Sequence, residues 1–313
     1  MSVEYHTVTA NEAGQRIDNF LLKHFKKVPK SVIYRIVRKG EVRVDKKRVK
    51  PEHKLVLGEE IRIPPVRTEE QQAEAHAPVV PAALLGVLEK AILLEDEHLI
   101  VINKPSGLPV HGGSGVAFGL IEAFRALRPN LPFVELVHRI DRDTSGLILL
   151  AKSRPALNAL HDMLREGGMD KRYQALVAGQ WKGGTRHITL DLKREEGLRQ
   201  KIQVVEDDDD GKASESIFRP LTPFAKCTLM EATILTGRMH QIRVQLAHLG
   251  YPILGDDRYG DFKLNRAYRD VGLKRLFLHA ASLEFVFTLS GHKYQLQAPL
   301  PMELQHVLRG LDK

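Results

Sequence analysis

Residues 138–151 read HRIDRDTSGLILLA. The last five form an unbroken apolar run directly after a Thr-Ser-Gly turn, a pattern that predicts a buried strand. Asp141 precedes this strand and is flanked by Arg139 and Arg142. A carboxylate beside cations at the end of a strand should stay ionised and can act as a nucleophile or a general base. Taken alone, the pattern favours a second interpretation, in which the carboxylate only caps backbone amides of the turn.

A second stretch, residues 236–245 with the sequence TGRMHQIRVQ, begins as a turn and predicts a helix that continues through His248. Arg243 on this helix could reach a carboxylate on a neighbouring element and hold it charged and oriented. His240 and His248 are eight residues apart, which is not the i, i+4 spacing of metal ligands on a helix. We therefore expect two hydrogen-bonded structural histidines and predict no metal site.

Strand-like runs alternate with a few helical ones from about residue 87 onward. Residues 171–177 read as one such strand, and Tyr173 offers a phenol that can stack on a base or move a proton, although a packed tyrosine is the common case. The pattern predicts an α+β domain over residues 87–313, built on a mixed, mainly antiparallel sheet. Residues 66–86 are polar and then rich in Pro and Ala, which predicts a linker that lets the preceding module move.

The first 65 residues form a separate basic module. They hold 15 Lys and Arg against 8 Asp and Glu, a net charge of +7, whereas the other 248 residues carry a net charge of +1. Apolar spacing predicts two helices, the second with Ser31 as its N-cap, followed by a small β element after Gly40. Such a charge concentration is typical of a module that binds nucleic-acid phosphates, and a merely solvated basic surface is the alternative. The predicted RNA-binding residues are Arg35, Arg38, Lys39, Arg43, Lys46, Lys47 and Arg48.

Composition narrows the class of protein further. The single cysteine, Cys227, excludes an intramolecular disulfide framework and fits a reducing cytoplasm. No apolar run approaches the roughly 20 residues that a membrane span needs, and the N-terminal sequence lacks the layout of a signal peptide. No Gly-rich phosphate loop is present, so we expect no bound dinucleotide.

Four motifs in order carry a resemblance to a known family. They are residues 103–107, 138–146, 171–177 and 236–243, with the sequences NKPSG, HRIDRDTSG, KRYQALV and TGRMHQIR. With this set, the chain from about residue 90 to 305 closely resembles the RluA-type pseudouridine synthases. The basic module, over about residues 14–63, resembles the S4 RNA-binding domain.

The resemblance implies a role for each of five residues. Asp141 matches the catalytic aspartate of the family, and Arg243 matches its ion-pair partner. Tyr173 would stack on the target uracil and could serve as the base in the last deprotonation. Arg139 matches the arginine that enters the RNA helix where the target nucleotide has left, and Ile242 would make an apolar contact to the flipped base.

Within the family, the likeness is to the branch that modifies large-subunit (23S) ribosomal RNA. It is carried by residues 111–115 (HGGSG), residues 277–280 (FLHA) and the S4-like module in front. The implied protein is a monomeric, cytoplasmic isomerase that acts on uridines of 23S rRNA and needs no cofactor. Three alternatives remain at this point: a non-catalytic S4-type rRNA-binding or ribosome assembly factor, a pseudouridine synthase directed to tRNA, and an RNA glycosylase that acts through Asp141.

Three positions depart from the patterns of the relatives. Met239 stands where threonine or serine is usual, and Gln245 stands where histidine is frequent. Both flank the key positions of their motif, so we expect them to affect local packing and not catalysis. In the S4-like module, Asp45-Lys46-Lys47 replaces the usual Asn-Gly-Lys, so Lys46 would have to adopt a conformation that glycine prefers.

Overall fold

The computed structural model describes residues 3–25, 28, 30–66, 80–112, 118–195, 201–205 and 210–311. Its helices are α1 (Ile17–His24), α2 (Lys30–Arg38), α3 (Ala82–Ala91), α4 (Leu120–Leu127), α5 (Arg154–Arg165), α6 (Gln241–His248), α7 (Phe262–Asp270) and α8 (Met302–Arg309). Its strands are β1 (Glu4–Thr7), β2 (Arg43–Val44), β3 (Lys47–Arg48), β4 (Glu60–Ile63), β5 (Ile92–Glu95), β6 (Leu99–Lys104), β7 (Glu135–Leu136), β8 (Ser145–Ala151), β9 (Asp170–Ala178), β10 (Arg186–Glu195), β11 (Lys201–Val205), β12 (Lys212–Pro223), β13 (Cys227–Ile234), β14 (Leu278–Val286) and β15 (Lys293–Gln297). Over these residues, no helix is long and apolar enough to cross a membrane.

The N-terminal unit is a four-stranded sheet, in the order β1-β4-β2-β3, that packs against α1 and α2. Ile17 of α1 and Ile33 of α2 are fully buried in its core. The predicted two helices and β element are confirmed. The predicted N-cap is wrong, because α2 begins at Lys30 and Ser31 lies inside the helix. The sequence did not indicate β1, because most of its residues are exposed and show no apolar alternation.

The turn between β2 and β3 has the unusual backbone that its sequence implied. Asp45 has a φ of +46° and Lys46 a φ of +66°, so both central residues of this two-residue hairpin are left-handed. This is the geometry of a type I′ turn, which suits the twist of the two strands but favours glycine over lysine. Lys46 therefore holds a strained conformation at an exposed position.

The C-terminal domain is built on one long sheet with the strand order β11-β10-β12-β13-β9-β14-β8-β6-β5, with β15 beside β14 and β7 beside β8. Neighbouring strands are antiparallel except β8 and β14, so the predicted mixed, mainly antiparallel sheet is confirmed. Every residue of β8 is buried. Leu147 and Leu149 face the core that contains α5, and Ile148 and Leu150 face the core that contains α3 and α4. Successive side chains of β8 thus alternate between two covered faces, which explains the unbroken apolar run.

The segment predicted as a linker, residues 66–86, ends earlier than expected. Helix α3 begins at Ala82, and Leu84 in its first turn packs against the core formed with α4 and β6. Residues 82–86 therefore belong to the C-terminal domain, because an amphipathic Ala/Leu helix follows Pro81 at once. Residues 67–79 lie outside the described residues.

The N-terminal unit contacts the C-terminal domain directly. Arg154, at the start of α5, donates from Nε to the carbonyl oxygen of Asn11 at 3.0 Å and from Nη2 to Oε1 of Gln15 at 3.2 Å. Lys23 of α1 forms an ion pair with Glu135 of β7. The sequence predicted a linker between the two units but no contact between them. The structure shows that they also share a polar interface.

Candidate active site

Asp141 lies in a turn that the pairing of β8 with β14 holds in place. The amide of Thr144 donates to the carbonyl oxygen of Asp141 at 3.2 Å and closes the turn. The predicted tight turn is present, although it ends at Thr144 and the strand begins one residue later. Gly146 has a φ of +109°, and a Cβ there would lie 2.2 Å from the carbonyl oxygen of Ala280 on β14. Glycine is therefore required for the two strands to pair directly after the turn.

Lys104, the last residue of β6, anchors the same turn through its backbone. Its Nζ donates to the carbonyl oxygens of Arg142 at 3.0 Å, Pro105 at 2.9 Å and Leu108 at 2.8 Å. Burial lowers the pKa of Lys104 to about 7, and the nearby Asp143 carboxylate acts in the opposite direction. The three carbonyl oxygens accept all three protons of an ammonium group and thereby stabilise its charged form. Lys104 belongs to the first motif, but its role as a buried anchor of the turn was not visible in the sequence.

Arg243 connects Asp141 to a second carboxylate. Its Nη1 donates to Oδ2 of Asp141 at 3.1 Å, while Nε and Nη2 donate to the two carboxylate oxygens of Asp256 at 2.7 and 2.8 Å. Burial acts to lower the pKa of Arg243, but the hydrogen bonds to Asp256 and Asp141 outweigh burial and raise it. The guanidinium therefore stays charged, and its planar fork fixes where the Asp141 oxygen lies.

Asp256 is a residue of this site that sequence reasoning missed. Its side chain is fully buried and also accepts hydrogen bonds from the amides of Arg258 at 2.9 Å and Tyr259 at 3.1 Å. Burial acts to raise the pKa of Asp256, but its bonds to Arg243 outweigh burial and hold the pKa below its usual range. The only sequence signal was an acidic residue after Gly255. A loop Asp with no motif around it is too common to be singled out as a site residue.

His240 lies beside Asp141, in a backbone conformation unusual for its residue type. Its φ is +55°, and its Nδ1 lies 2.8 Å from the hydroxyl oxygen of Tyr259. Its Nε2 lies 3.8 Å from Oδ2 of Asp141. The prediction of a hydrogen-bonded histidine is confirmed, but its place in the active site was not foreseen. His248 lies exposed at the other end of α6.

One cleft brings together the five residues to which the resemblance gave roles. It has a cavity volume of about 130 Å³, is open to solvent on one side, and is lined by Arg139, Asp141, Tyr173, Ile242 and Arg243. Tyr173 and Ile242 are almost completely buried, and Arg139 is exposed. Burial, with a contribution from Asp141, raises the pKa of Tyr173, which therefore keeps its phenol proton at neutral pH. The cleft thus combines a fixed carboxylate, apolar walls and an exposed cation in a space that suits a nucleobase.

The two departures in the fourth motif have packing roles, as expected. The buried Gln245 donates from Nε2 to the hydroxyl of Ser214 at 2.9 Å and to its carbonyl oxygen at 3.2 Å, which ties α6 to β12. Met239 packs against Leu192 and Ile202 of the β10–β11 hairpin and also lines the cleft. Neither residue contacts Asp141 through a hydrogen bond among the described residues.

The predicted RNA-binding residues occupy one part of the N-terminal unit. All seven are exposed, and they lie on α2, on the loop after it and on the β2–β3 hairpin. They do not line the cleft that contains Asp141. The prediction that these side chains project from a helix and an adjacent turn is therefore confirmed in geometry, and their contact with RNA stays a prediction. The set is Arg35, Arg38, Lys39, Arg43, Lys46, Lys47 and Arg48.

Comparisons with known proteins agree with this geometry. Residues 98–248 match the family described as RNA pseudouridylate synthase, and residues 15–61 match the S4 domain. The chain is 50% identical, over 99% of its length and 97% of the relative's, to ribosomal large subunit pseudouridine synthase C of Escherichia coli K12. It is 48% identical, over 98% of its length and 96% of the relative's, to the protein of the same name from Vibrio cholerae.

Solved structures carry the same fold. Human RNA pseudouridylate synthase domain containing 4 has a TM-score of 0.61 and 25% identity, and the match covers 74% of this chain and 97% of the human chain. Human RNA pseudouridylate synthase domain containing 1 has a TM-score of 0.58 at 22% identity, over 71% of this chain and 87% of the human one, and shows the fold alone. Relatives are 50% identical to the chain over almost its whole length, and both of its domains match family models. Its aspartate is also held at a cleft, and the chain therefore belongs to the RluA-type family of RNA pseudouridine synthases.

Proposed function

We propose that the protein isomerises specific uridines of large-subunit (23S) ribosomal RNA to pseudouridine, with Asp141 as the catalytic carboxylate. The observation that carries the proposal is the chain of contacts from Asp141 through Arg243 to the buried Asp256. It fixes one oxygen of the Asp141 carboxylate beside a cleft of nucleobase size. Among the described residues, the other oxygen accepts no hydrogen bond and is available to the substrate.

The reaction breaks the bond between N1 of uracil and C1′ of the ribose, rotates the base, and joins C5 to C1′. The reacting atoms are buried when the base is stacked, so the nucleotide has to be flipped out of its helix, at a cost of a few kcal/mol. Asp141 then attacks C1′, adds to C6, or abstracts the 2′ proton to give a glycal. All three routes use the ionised carboxylate that Arg243 orients.

The other cleft residues hold the flipped uracil and its RNA. Tyr173 and Ile242 supply the walls between which the ring packs. The raised pKa of Tyr173 favours a stacking role over a role as base, since a phenolate would be costly at this buried position. Arg139 is exposed at the cleft and has a planar head that can stack in the gap left by the flipped nucleotide.

The basic face of the N-terminal unit grips the rRNA away from the reacting uridine. Its seven exposed cations can neutralise phosphates, which supplies affinity without reading sequence. The relatives named for the large ribosomal subunit support 23S rRNA as the substrate. Within the proposal, the protein acts as a monomer in the cytoplasm, where its rRNA substrate is found.

Release of tritium from C5-labelled uridine in 23S rRNA tests the chemistry. The wild-type protein should release label while the RNA chain stays intact, and Asp141→Asn should bind the same RNA with equal affinity but release none. An RNA glycosylase would leave an abasic site. A binding or assembly factor would neither release label nor leave an abasic site. If wild-type protein released no label, or if Asp141→Asn released it at the wild-type rate, the proposal would be refuted.

Mapping of modified uridines in cells that lack the protein tests the substrate. We expect pseudouridines to be lost from 23S rRNA, at more than one site. Losses confined to tRNA would support the tRNA-directed alternative and contradict the proposed substrate. Re-expression of wild-type protein, but not of Asp141→Asn, should restore the lost modifications.

A further inference from the structure

His240 is a strained residue at the cleft. It is the N-cap of α6 with a φ of +55° and a ψ of +19°, a left-handed conformation that non-glycine residues rarely adopt. Residues held in such conformations cluster at functional sites, because the surrounding structure has to impose them. The consequence here is that the ring reaches the cleft, where 11% of the side chain is exposed.

Tyr259 determines which nitrogen of His240 carries the proton. The amide of Ile202 donates to the hydroxyl oxygen of Tyr259 at 2.9 Å. Among the described residues, the acceptor within reach of the phenol hydrogen is Nδ1 of His240, at 2.8 Å. Burial raises the pKa of Tyr259, so the phenol keeps that hydrogen. With Nδ1 as the acceptor, the neutral imidazole carries its proton on Nε2.

The protonated Nε2 points toward the catalytic carboxylate but makes no hydrogen bond with it. The distance of 3.8 Å to Oδ2 of Asp141 is too long for one, and that oxygen already accepts from Arg243. Burial lowers the pKa of His240; Arg243 and Arg258 act in the same direction, and Asp141 and Asp256 act against them. A neutral imidazole therefore presents a free N–H to whatever occupies the cleft.

We propose that His240 is a further catalytic residue, which donates a hydrogen bond from Nε2 to an oxygen of the flipped uracil as negative charge develops on the ring. Each route open to Asp141 places charge there. When the N1–C1′ bond breaks, its electron pair stays on uracil and is shared by N1, O2 and O4. When the carboxylate adds to C6, the electron pair moves to O4 as an enolate. A hydrogen-bond donor already in place stabilises either anion without reorganisation.

The imidazole keeps its proton throughout. After rotation, C5 attacks C1′ with the electron pair of the anion. Asp141 is released according to the route: the Asp141–C1′ bond breaks in this attack, the Asp141–C6 bond breaks after it, or Asp141 returns the 2′ proton to the glycal. The C5 proton then leaves to solvent, and N1 gains a proton, so the atoms and charges of the isomerisation balance. This inference rests on the proposed function, since it needs a uracil in the cleft of Asp141.

Two variants test the donor in the full-length protein, by single-turnover formation of pseudouridine in an RNA fragment that contains a mapped target uridine. His240→Asn removes the imidazole and keeps a residue that tolerates a left-handed backbone. We expect a rate lower by about 100-fold, the typical effect of one lost donor to a developing anion. Tyr259→Phe removes the hydroxyl that sets the tautomer and leaves the imidazole in place. We expect a rate lower by about 10-fold, because the imidazole can then also carry its proton on Nδ1 and keeps about half of the donor's benefit in free energy.

The RNA dissociation constant should stay at the wild-type value in both variants. Each variant leaves one hydrogen-bonding group without its partner, the Tyr259 hydroxyl in His240→Asn and the amide of Ile202 in Tyr259→Phe, so we expect a lower melting temperature with the fold retained. Tyr251→Phe is the matched control, because its hydroxyl accepts a backbone hydrogen bond from Lys182 and it does not line the cleft. Its rate should equal that of the wild type.

Substitution of the substrate gives a readout that a purely structural role would not move. RNAs that carry 2-thiouridine or 4-thiouridine at the target place a weaker acceptor, sulfur, at O2 or O4. One of the two thio substitutions should lower the rate of the wild-type protein. The same substitution should leave the rate of His240→Asn unchanged and lower the rate of Tyr259→Phe by a smaller factor. If His240→Asn fails to fold, the thio effects of Tyr259→Phe and of the wild type are compared instead, and a smaller effect in Tyr259→Phe supports the inference.

Equal thio effects in all three proteins, or a wild-type rate in the folded His240→Asn, would overturn the inference. With wild type active and Asp141→Asn inactive, that result would leave the proposed function standing. An inactive wild type would refute the proposed function itself.

Discussion

At the scale of single residues, Arg243 is shared by two carboxylates of different character. Asp256 is fully buried and takes two of its hydrogen bonds, whereas Asp141 is partly exposed and takes one. The buried pair fixes the guanidinium, and the guanidinium fixes the carboxylate of Asp141. Removal of one partner from a buried pair leaves an uncompensated charge, which makes the pair sensitive to both mutation and pH.

The lowered pKa of Asp256 predicts a stability that depends on pH in acid. A carboxyl group whose pKa is depressed by folding stabilises the folded state above its ordinary pKa of 3.8, and this contribution is lost as the pH falls through the lowered value. Asp256→Asn should therefore cost about 3 kcal/mol of unfolding free energy at pH 7. The cost should shrink as the pH falls below 4. Urea denaturation at several pH values measures both, and a cost independent of pH down to 2 would contradict the assignment.

Lys46 supplies a prediction in which stability and RNA affinity change in opposite directions. Its φ of +66° is strained for lysine, so Lys46→Gly should raise the free energy of unfolding of the N-terminal unit by about 0.5 to 1 kcal/mol. The same change removes one exposed cation, so the salt dependence of rRNA binding should weaken by roughly one phosphate contact. Thermal unfolding and binding at several salt concentrations measure the two effects. Lys46→Ala is the control, because it removes the charge and keeps the strain.

At the scale of elements, the contact between β8 and β14 determines where Asp141 lies. These two strands are parallel within an otherwise antiparallel sheet, and they meet at Gly146 and Ala280. The close approach explains why glycine stands at position 146, one residue after β8 begins. The position of the carboxylate thus depends on a strand whose paired residue, Ala280, lies 134 residues after Gly146 in the chain.

Gly146→Ala tests this dependence. A Cβ would lie 2.2 Å from a backbone oxygen, and the φ of +109° is unfavourable for alanine, so the two strands would have to separate. We expect a loss of at least about 3 kcal/mol in unfolding free energy, since strain at a special φ is among the most damaging changes. Gly184→Ala is the matched control, because a Cβ there meets open space and should change stability by less than about 0.5 kcal/mol. Urea denaturation compares the two, and equal stabilities would contradict the packing argument.

At the scale of the whole molecule, the N-terminal unit contacts the C-terminal domain at α5 and β7, and its basic face lies apart from the cleft. Deletion of residues 1–65 would remove the partners of Arg154 and Glu135 along with the basic face. Such a truncation should weaken rRNA binding and flatten its salt dependence while the chemistry at Asp141 survives, but it also disturbs the interface. Neutralisation of the basic face in the full-length chain separates the two effects.

The fourfold variant Arg35→Gln, Arg38→Gln, Lys39→Gln, Arg43→Gln should bind rRNA more weakly, and the slope of log affinity against log salt should fall by up to about 3. The single-turnover rate at saturating RNA should stay near the wild-type value, because these side chains do not line the cleft. A control with four exposed cations of the C-terminal domain changed to Gln should keep the wild-type slope; these are Lys90, Lys182, Lys212 and Lys226. Identical salt-dependence slopes in the two fourfold variants would contradict a role of the basic face in binding rRNA.

Much of the fold followed from local patterns along the chain. The apolar run of β8, the helix that carries Arg243 and the charge of the first 65 residues each lie within a short window, where periodicity and composition are informative. Four ordered motifs then placed Asp141 in its family before any contact was known. The linker boundary and the N-cap of α2 were wrong by a few residues, because helix starts depend on packing as well as on the cap residue.

By itself, the sequence determined the α+β class, the basic module in front and the aspartate on which the proposed chemistry depends. Only the tertiary structure decided that Asp256 holds Arg243, that Tyr259 lies within hydrogen-bond distance of His240, and that Arg154 joins the two units. The physical reason is that these contacts join residues brought together by the fold. A buried carboxylate or a directed imidazole has no local signature, because its partner, its burial and its backbone strain exist only once the sheet and helices have packed.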